Sequence, residues 1–355
     1  MSFHRIVLIY YIDHVELEKF TRAIFMKLGF SEEHANIVAG NLVLANLRGV
    51  DSHGVVRIPY YAEGVESGKI IPRPVVKILR EGSFYALVDG DKALGHIPAK
   101  MATDIAISKA RKEGIGFVGA INIWHVGMLA SYVLSIVRER MIGVAMANVS
   151  PNIGLPGFKK PVVGTNPIAI GFPTDSAPIL LDMALSVVAR GKILVAAEKG
   201  EKIPKGWALS KDGEETTDPV AAIEGMLLPI GGYKGFGLAM AVDILCGIVL
   251  GGVYGLKMQR SWFSQGGFLV MAIRADLMRS YDEYLRDLKE YIENIKATPT
   301  AEGIRVLIPN EIEEENMRKR LVEGIPIDDR TLKELNKLAS KYGIKPLTPL
   351  RNTRS

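Results

Sequence analysis

The 355-residue sequence predicts an α/β fold with helices at both ends of the chain, and three observations support this prediction. From residue 75 onward, short apolar runs alternate with stretches of helical periodicity, which is typical of α/β domains. Before residue 70 and after residue 310, the apolar residues recur at helical spacing. Pro72 and Pro74 stiffen the segment between the first helical region and the alternating region, which places a domain boundary there.

Each element follows from its local pattern. Leu17, Ile24 and Leu28 share one face of a predicted helix that Gly29 ends, and Ser31 caps the next helix. The same reasoning predicts strands over residues 6–11, 75–79, 85–89, 116–121, 142–148, 161–173, 179–181 and 268–273. It predicts helices over residues 98–113, 128–138, 184–199, 276–295 and 311–342, the last one interrupted at Pro326.

Composition and charge narrow the possible function classes. The 48% of hydrophobic and 23% of charged residues are ordinary for a soluble globular protein. The net charge of +5 is small and spread out. The one dense basic run, residues 318–320, follows three glutamates at residues 313–315, and we interpret the two as a salt-bridged, solvated helix face. A nucleic-acid partner would require a basic stripe, so nucleic-acid binding is not expected.

The single cysteine, Cys246, lies in an apolar run, which excludes internal disulfides and cysteine-built zinc sites and suits a reducing cytoplasm. We expect no metal site and no membrane partner. The most apolar window, residues 238–253, falls short of the roughly 20 residues that span a bilayer. It also contains Asp243, so we predict a buried helix there. Glutamine occurs only at Gln259 and Gln265 beside abundant charged residues, a bias that hints at a thermophile.

Residues 51–60 concentrate side chains that can carry chemistry: a hydroxyl, an imidazole, a guanidinium and a phenol. A histidine such as His53 is the usual general acid or base near neutral pH, and Arg57 offers a charged fork that matches a carboxylate. Pro59 predicts that His53 sits at or just ahead of a helix N-terminus, where the helix dipole favours the neutral imidazole. The alternative interpretation is a Ser/Asp helix cap followed by a solvated face.

Gly114, Gly116 and Gly119 match the spacing of the dinucleotide-binding glycine fingerprint. That fingerprint requires a strand before it and a helix after it, so that the pyrophosphate meets unpaired N–H groups. Here a predicted helix precedes the glycines and a predicted strand follows them. We therefore interpret Gly114 as a helix C-cap and reject a Rossmann fold.

Three further groups of residues bear polar chemistry, each with a structural alternative. His125 follows a predicted strand, where α/β domains gather ligands, or is a loop histidine satisfied by backbone. Thr165 lies in a polar turn and Asp182 at a strand end, where either can be structural. The loop over residues 229–237 combines glycines, a following helix N-terminus and Lys234, which a phosphate cradle needs. Together these groups favour an enzyme that acts on an anionic substrate with a phosphorylated cofactor.

A series of short motifs occurs in a fixed order along the chain, and their combination is more specific than any one of them. They cover residues 48–57, 88–91, 124–127, 164–167, 181–183, 207–209, 216–219 and 232–235. On these motifs the sequence resembles the malate/L-lactate dehydrogenase family of the non-Rossmann type, whose relatives include sulfolactate, ureidoglycolate and diketogulonate oxidoreductases.

The resemblance implies a fold in which residues 1–74 and 301–355 form one helical domain around an α/β domain of residues 75–300 that binds NAD or NADP. It implies a cytoplasmic homodimer that oxidises a small 2-hydroxy acid, with malate favoured. Lactate and sulfolactate are alternative substrates. Reduction of a cyclic imine or keto acid is a rival reaction, and a metabolite-binding protein that keeps the fold is the alternative without catalysis.

The resemblance also implies residue roles. His53 or His125 would move the substrate proton, Ser52 would orient the proton carrier, Arg57 would hold the carboxylate, and Thr165 would be a second substrate contact. The implied cofactor contacts are Asn148, Pro178, Ile179, Leu180, Leu181, Asp182, Met183, Ala184, Tyr233, Lys234, Pro309, Asn310 and Glu311.

Overall fold

A computed structural model of the chain describes residues 8–259 and 264–354. The helices are α1 (His14–Lys27), α2 (Glu32–Leu47), α3 (Ile58–Glu66), α4 (His96–Glu113), α5 (Ala130–Val137), α6 (Arg190–Lys199), α7 (Pro219–Glu224), α8 (Tyr233–Asp243), α9 (Tyr281–Lys296), α10 (Glu311–Glu323) and α11 (Asp329–Tyr342). The strands are β1 (Leu8–Ile12), β2 (Lys77–Glu81), β3 (Tyr85–Ala93), β4 (Ile115–Ile123), β5 (Met141–Ala147), β6 (Ile168–Phe172), β7 (Ile179–Met183), β8 (Ala208–Leu209), β9 (Glu215–Thr216), β10 (Met226–Leu227), β11 (Gly266–Arg274), β12 (Ile325–Asp328) and β13 (Arg351–Arg354). The first two positions of the strand predicted over residues 6–11 lie outside the described residues.

The chain divides into two compact units. The first takes in the chain up to Pro74, the short segment Thr174–Ile179 and the chain from Asp282 onward. The second consists of Val75–Pro173 and Leu180–Tyr281.

Local capping and an apolar face explain the first helices of the first unit. The carboxylate of Asp13 accepts hydrogen bonds from the first backbone N–H groups of α1. Ser31 accepts one from the N–H of His34, which confirms the predicted cap of α2. Leu17 and Ile24 are fully buried, as their shared helix face predicts.

The first unit also contains a three-stranded antiparallel sheet with the strand order β12-β1-β13. The predicted break at Pro326 is confirmed, but the sequence did not predict that residues 325–328 form β12, in which Pro326 pairs with Tyr11. A proline has no N–H to donate, and β12 is an edge strand of this sheet, where that loss is tolerated.

The second unit is built on a seven-stranded mixed sheet with the order β2-β3-β4-β11-β5-β6-β7. β3 and β4 pair in parallel, and α4 connects them. The other pairs with a defined register run antiparallel, including β11 against both β4 and β5. The alternation of strands and helices confirms the predicted α/β class.

Two glycines fix how α4 meets β4. Gly114 ends α4 in the left-handed conformation, with φ of 85°, and its N–H donates to the carbonyl oxygen of Ala110. This confirms the C-cap interpretation of the glycine fingerprint. A Cβ on Gly116 would lie 2.1 Å from the carbonyl oxygen of Ala106, so α4 packs on the strand at backbone distance.

Two predicted helices differ from the observed ones. The helix predicted over residues 184–199 begins only at Arg190, because the preceding residues are tied to the segment before α8. Ser186 bridges to Pro229, and the N–H of Val187 donates to the carbonyl oxygen of Leu228.

The prediction of a buried helix over residues 238–253 was also wrong. α8 continues into a π-helical segment, Ile244–Val249, that buries only one face. Cys246 is fully buried, while Leu238, Ile248 and Val249 are each more than half exposed. The opposite face therefore carries apolar side chains into solvent.

The close contact at Gly116 generates a stability prediction. Gly116→Ala should lower the free energy of unfolding by about 1–3 kcal/mol, because the added methyl meets a backbone carbonyl that cannot rotate away. The measurement is the midpoint of urea unfolding followed by circular dichroism.

Gly191→Ala, in the first turn of α6, is the matched control in the same unit. A Cβ there meets nothing within 4 Å, so this variant should be more stable by about 0.5–1 kcal/mol through helix propensity alone. An unchanged midpoint for Gly116→Ala would contradict the close packing of α4 on β4.

Candidate active site

Two short 3-10 turns carry the histidine and arginine of the first unit. The turn Asp51–His53 is followed by Val55–Arg57, which runs directly into α3. Neither turn nor α3 begins with a side-chain cap, so the alternative interpretation of a Ser/Asp helix cap was wrong. Pro59 lies in the first turn of α3, as the sequence predicts.

Ser52 connects the two side chains of this stretch. Its Oγ lies 2.9 Å from Nδ1 of His53. Its carbonyl oxygen accepts a 2.6 Å hydrogen bond from Nε of Arg57. Three of the residues predicted to form the site, Ser52, His53 and Arg57, are thus held together within the first unit.

The electrostatics of the turn favour a neutral imidazole. Burial, and after it the positive charge of Arg57, lowers the pKa of His53 to about 4. The sequence predicts a neutral form through the helix dipole, whereas burial is the larger cause in the structure. Burial also lowers the pKa of Arg57 from its ordinary 12.5, but a guanidinium remains charged at neutral pH. The turn therefore offers a proton acceptor and a cation together.

The turn is anchored to α2 and α10 by residues that sequence analysis did not select. Nδ2 of Asn46 donates to Oδ1 of Asp51 at 2.7 Å, and Oδ1 of Asn46 accepts from the N–H of Val55 at 2.8 Å. Arg320 donates to both carboxylate oxygens of Asp51, at 2.6 and 3.0 Å. A polar side chain that is buried inside an apolar helix, as Asn46 is, was the one available signal.

The interpretation of residues 313–320 as a solvated, salt-bridged face is right for the exposed Glu315, Arg318 and Lys319 and wrong for Glu314 and Arg320. The side chain of Arg320 is only 14% exposed and pairs with Asp51, which lies on another element. Glu314 accepts from the buried Arg48 at 2.9 Å. The helix α10 therefore uses these charges to bind the rest of its unit.

Asn310 connects two of the segments assigned to the cofactor. Its Oδ1 accepts from Nη2 of Arg48, and its Nδ2 donates to the carbonyl oxygen of Pro178 at 2.7 Å. Its φ of 94° is left-handed, which asparagine tolerates better than most residues. Pro178 and Asn310 are thus brought together within the first unit, and Glu311 follows at the start of α10.

In the second unit, His125 lies in the loop between β4 and α5. Its ring meets that of the fully buried His96 edge to face, with the centroids 6.3 Å apart. A Cβ on Gly95 would lie 2.2 Å from the carbonyl oxygen of Trp124, so this loop rests on the backbone before α4. His125 is partly buried at the end of a central strand, where the sequence places it.

The segment predicted to contact the cofactor over residues 178–184 includes β7, an edge strand of the large sheet. Leu180 is buried in the core, while Leu181 and Asp182 are exposed. Oδ2 of Asp182 accepts a 2.8 Å hydrogen bond from the N–H of Ala130, the first residue of α5. Asp182 thus caps the helix that follows the His125 loop.

Asn148 and Thr165 make backbone connections within the second unit. The amide of Asn148 accepts from the N–H of Gly267 at 2.7 Å and donates to Asp243 at 2.8 Å. It is only 3% exposed, and its bonds hold the start of β11. The carbonyl oxygen of Thr165 accepts from the N–H of Leu185 at 2.8 Å.

The glycine loop before α8 has the features of a phosphate cradle. Gly231 and Gly232 have φ values of 60° and 63°, which suit glycine, and they bring the chain to the N-terminus of α8. Tyr233 is 74% exposed, and Lys234 beside it is also exposed. Helix N–H groups and an exposed cation fit the pyrophosphate of a nicotinamide dinucleotide.

The described part of the chain contains neither a metal-binding cluster nor a membrane-spanning helix. In residues 8–259 and 264–354, no group of three or more His, Cys, Asp or Glu side chains is placed to hold a metal ion. Within those same ranges, every helix is too short or too polar to cross a bilayer.

Comparison with known proteins agrees with the fold. The profile of the malate/L-lactate dehydrogenase family matches residues 12–336. A malate dehydrogenase of Pyrococcus abyssi is 42% identical over 94% of this chain and 95% of that protein. An L-sulfolactate dehydrogenase of Methanocaldococcus jannaschii is 39% identical over 90% of this chain and 94% of that protein.

A solved structure, that of sulfolactate dehydrogenase from Methanocaldococcus jannaschii, superimposes with a TM-score of 0.89 at 38% identity. The match covers 94% of this chain and 98% of that one. With the family profile spanning most of the sequence and the fold matching as well, the chain belongs to the malate/L-lactate dehydrogenase family.

Proposed function

We propose that the protein is an NAD(P)-dependent dehydrogenase of small 2-hydroxy acids, with malate as its favoured substrate. The observation that carries the proposal is the pair of consecutive 3-10 turns that hold a neutral imidazole, His53, near a permanent cation, Arg57. The relatives named malate and L-sulfolactate dehydrogenases support the same reaction class. A reducing cytoplasm suits the single buried thiol of Cys246.

The chemistry of the turn fits the oxidation of an alcohol beside a carboxylate. Neutral His53 accepts the proton of the substrate hydroxyl group, and Ser52 fixes the ring through its contact with Nδ1. The charge of Arg57 attracts the substrate carboxylate and orients the reacting carbon. When bound, the nicotinamide supplies an acceptor for the hydride that leaves that carbon.

The cofactor contacts in this proposal are those that the family resemblance implies. In the second unit, the N-terminus of α8 with Lys234 binds the phosphates, while Tyr233, Asn148 and residues 180–184 complete the contacts. In the first unit, residues 178–179 and 309–311 contribute. Thr165 is a further substrate contact.

Two histidines, His53 and His125, are candidates for the proton carrier. His53 has the stronger electrostatic argument, because its pKa keeps it neutral throughout the physiological range. His125 has the stronger positional argument, because it follows a central strand of an α/β sheet.

Sulfolactate is the second candidate substrate. The relative named L-sulfolactate dehydrogenase is 39% identical, close to the 42% of the malate dehydrogenase. Malate and sulfolactate each carry a second acidic group beyond the 2-hydroxy carboxylate.

We also propose that the protein is a homodimer, with the exposed apolar face of α8 and the following π-helical segment as part of its interface. Tyr233, Met240, Ile244 and Ile248 recur along this face and are 43–74% exposed. Monomers rarely expose a contiguous apolar patch of more than a few hundred Å². A second copy would present the same apolar, uncharged stripe and so bury it symmetrically.

The first prediction concerns the reaction. Purified protein offered NAD or NADP with malate, lactate and sulfolactate separately should form reduced nicotinamide, read at its absorbance band, with at least one acid. Among folded variants, His53→Ala or His125→Ala should lower kcat by about 100-fold or more, because general-base catalysis contributes roughly that factor.

Full turnover by both variants would refute histidine catalysis. Silence with all three acids, together with NADPH-dependent reduction of a keto acid or cyclic imine, would move the function to a reductase. Nucleotide binding without any turnover would indicate a metabolite-binding protein.

The second prediction concerns pH. If His53 carries the proton, kcat/KM for oxidation should hold down to about pH 5 and fall tenfold per unit below about pH 4, because only the neutral imidazole accepts the proton. An acid limb near the ordinary pKa of about 6.5 would instead contradict the burial of a catalytic His53.

The third prediction concerns assembly. Ile244→Glu with Ile248→Glu should convert the wild-type dimer to a monomer, because each buried carboxylate would lack a partner. Light scattering coupled to size exclusion measures the mass. A dimer that survives both changes would exclude this face as the interface. Ile78→Glu, on the exposed strand β2, is the control variant.

A further inference from the structure

We propose that Asn46, Asp51 and Arg320 are positioning residues that hold His53 in place for proton transfer. This inference rests on the form of the proposed function in which His53, rather than His125, carries the proton. None of the three needs to touch the substrate, because together they hold the two 3-10 turns in position.

The two 3-10 turns cannot hold their own position. The turn Asp51–His53 has three residues, and its own bonds are the short-range contacts of a 3-10 helix, such as the N–H of Gly54 to the carbonyl oxygen of Asp51 at 3.1 Å. Isolated 3-10 turns have poor hydrogen-bond geometry and little stability. The position of the imidazole therefore depends on residues outside the turns that bind to them.

Asn46 forms hydrogen bonds to both turns through its side-chain amide. Its Nδ2 holds the side chain of Asp51 in the first turn, and its Oδ1 holds the N–H of Val55 in the second. A Cβ on Gly54, the residue between the turns, would lie only 2.2 Å from that Oδ1. The asparagine is 3% exposed and so sits beneath the turns.

Arg320, on α10, binds the first turn through Asp51. Its guanidinium makes a forked contact with both oxygens of Asp51 and also donates to the carbonyl oxygen of Asn46. A forked arginine–carboxylate pair fixes direction as well as distance. The three residues thus form a closed set of bonds among α2, the turn and α10.

This set of bonds controls two properties of His53. Displacement of a catalytic group by about 1 Å can cost a factor of about 100 in rate. Loosening the turn would also admit water to an imidazole whose low pKa comes mainly from burial. The charged groups around the turn are Asp51 on it, Arg57 on the next turn and Arg320 from α10.

The test uses the full-length protein with Asp51→Asn, Arg320→Met and the double variant. We expect each single variant to lower kcat by about 10- to 100-fold with less than a twofold change in KM for the nucleotide. The acid limb of kcat/KM should move up toward the ordinary histidine pKa. The double variant should be no worse than the worse single variant, and Arg320→Lys should restore part of the activity.

Glu323→Gln is the matched control. It removes another ion pair of α10, the 2.9 Å contact with Arg351, which involves neither Asp51 nor Asn46. We expect its kcat and its acid limb to equal those of the wild type, with a comparable or smaller change in thermal midpoint.

The titration of the His53 imidazole by proton NMR, without substrate or nucleotide, separates this inference from the proposed function. An upward shift of the His53 pKa in Asp51→Asn and Arg320→Met supports the inference even if no hydroxy acid is turned over. Unchanged titration, or activity losses that merely follow thermal stability with an unmoved acid limb, would overturn it.

Discussion

The pairing of β1 with both β12 and β13 is the constraint on which the first unit depends. Tyr10 lies opposite Ile327 on one side and Asn352 on the other, so the two ends of the chain must meet before the sheet exists. The same meeting lets α2 bind α10 through the buried Arg48 and its partner Glu314. The first-unit part of the candidate active site therefore depends on contacts between residues that are far apart along the chain.

Burial gives the imidazole of this site its character, and it also limits how the site can be built. A histidine in contact with water would titrate near neutral pH, whereas His53 is kept neutral well below that range. Two short turns bury few apolar groups of their own, and Val55 is their one buried residue. The polar anchors Asn46, Asp51 and Arg320 supply the rigidity that local structure lacks.

In the second unit, buried amides rather than an ion pair connect separate segments of the chain. Asn148 joins the chain after β5 to Gly267 and Asp243, and Asn166 joins Val149 to Ala239 in α8. Each amide is buried and bonds to backbone groups on other segments of the chain. The glycine loop before α8 is exposed, and His125 is partly buried in its loop.

The sequence by itself determined the α/β class, the caps at Ser31 and Gly114 and the proximity of His53 to Arg57, because periodicity, capping and turn chemistry act over a few residues. Only the tertiary structure decided that Arg320 pairs with a carboxylate 269 positions away, and that residues 325–328 form a strand. It also decided that one apolar face of α8 stays exposed on the single chain. Each of these outcomes depends on which distant segment lies alongside, and local pattern carries no information about that.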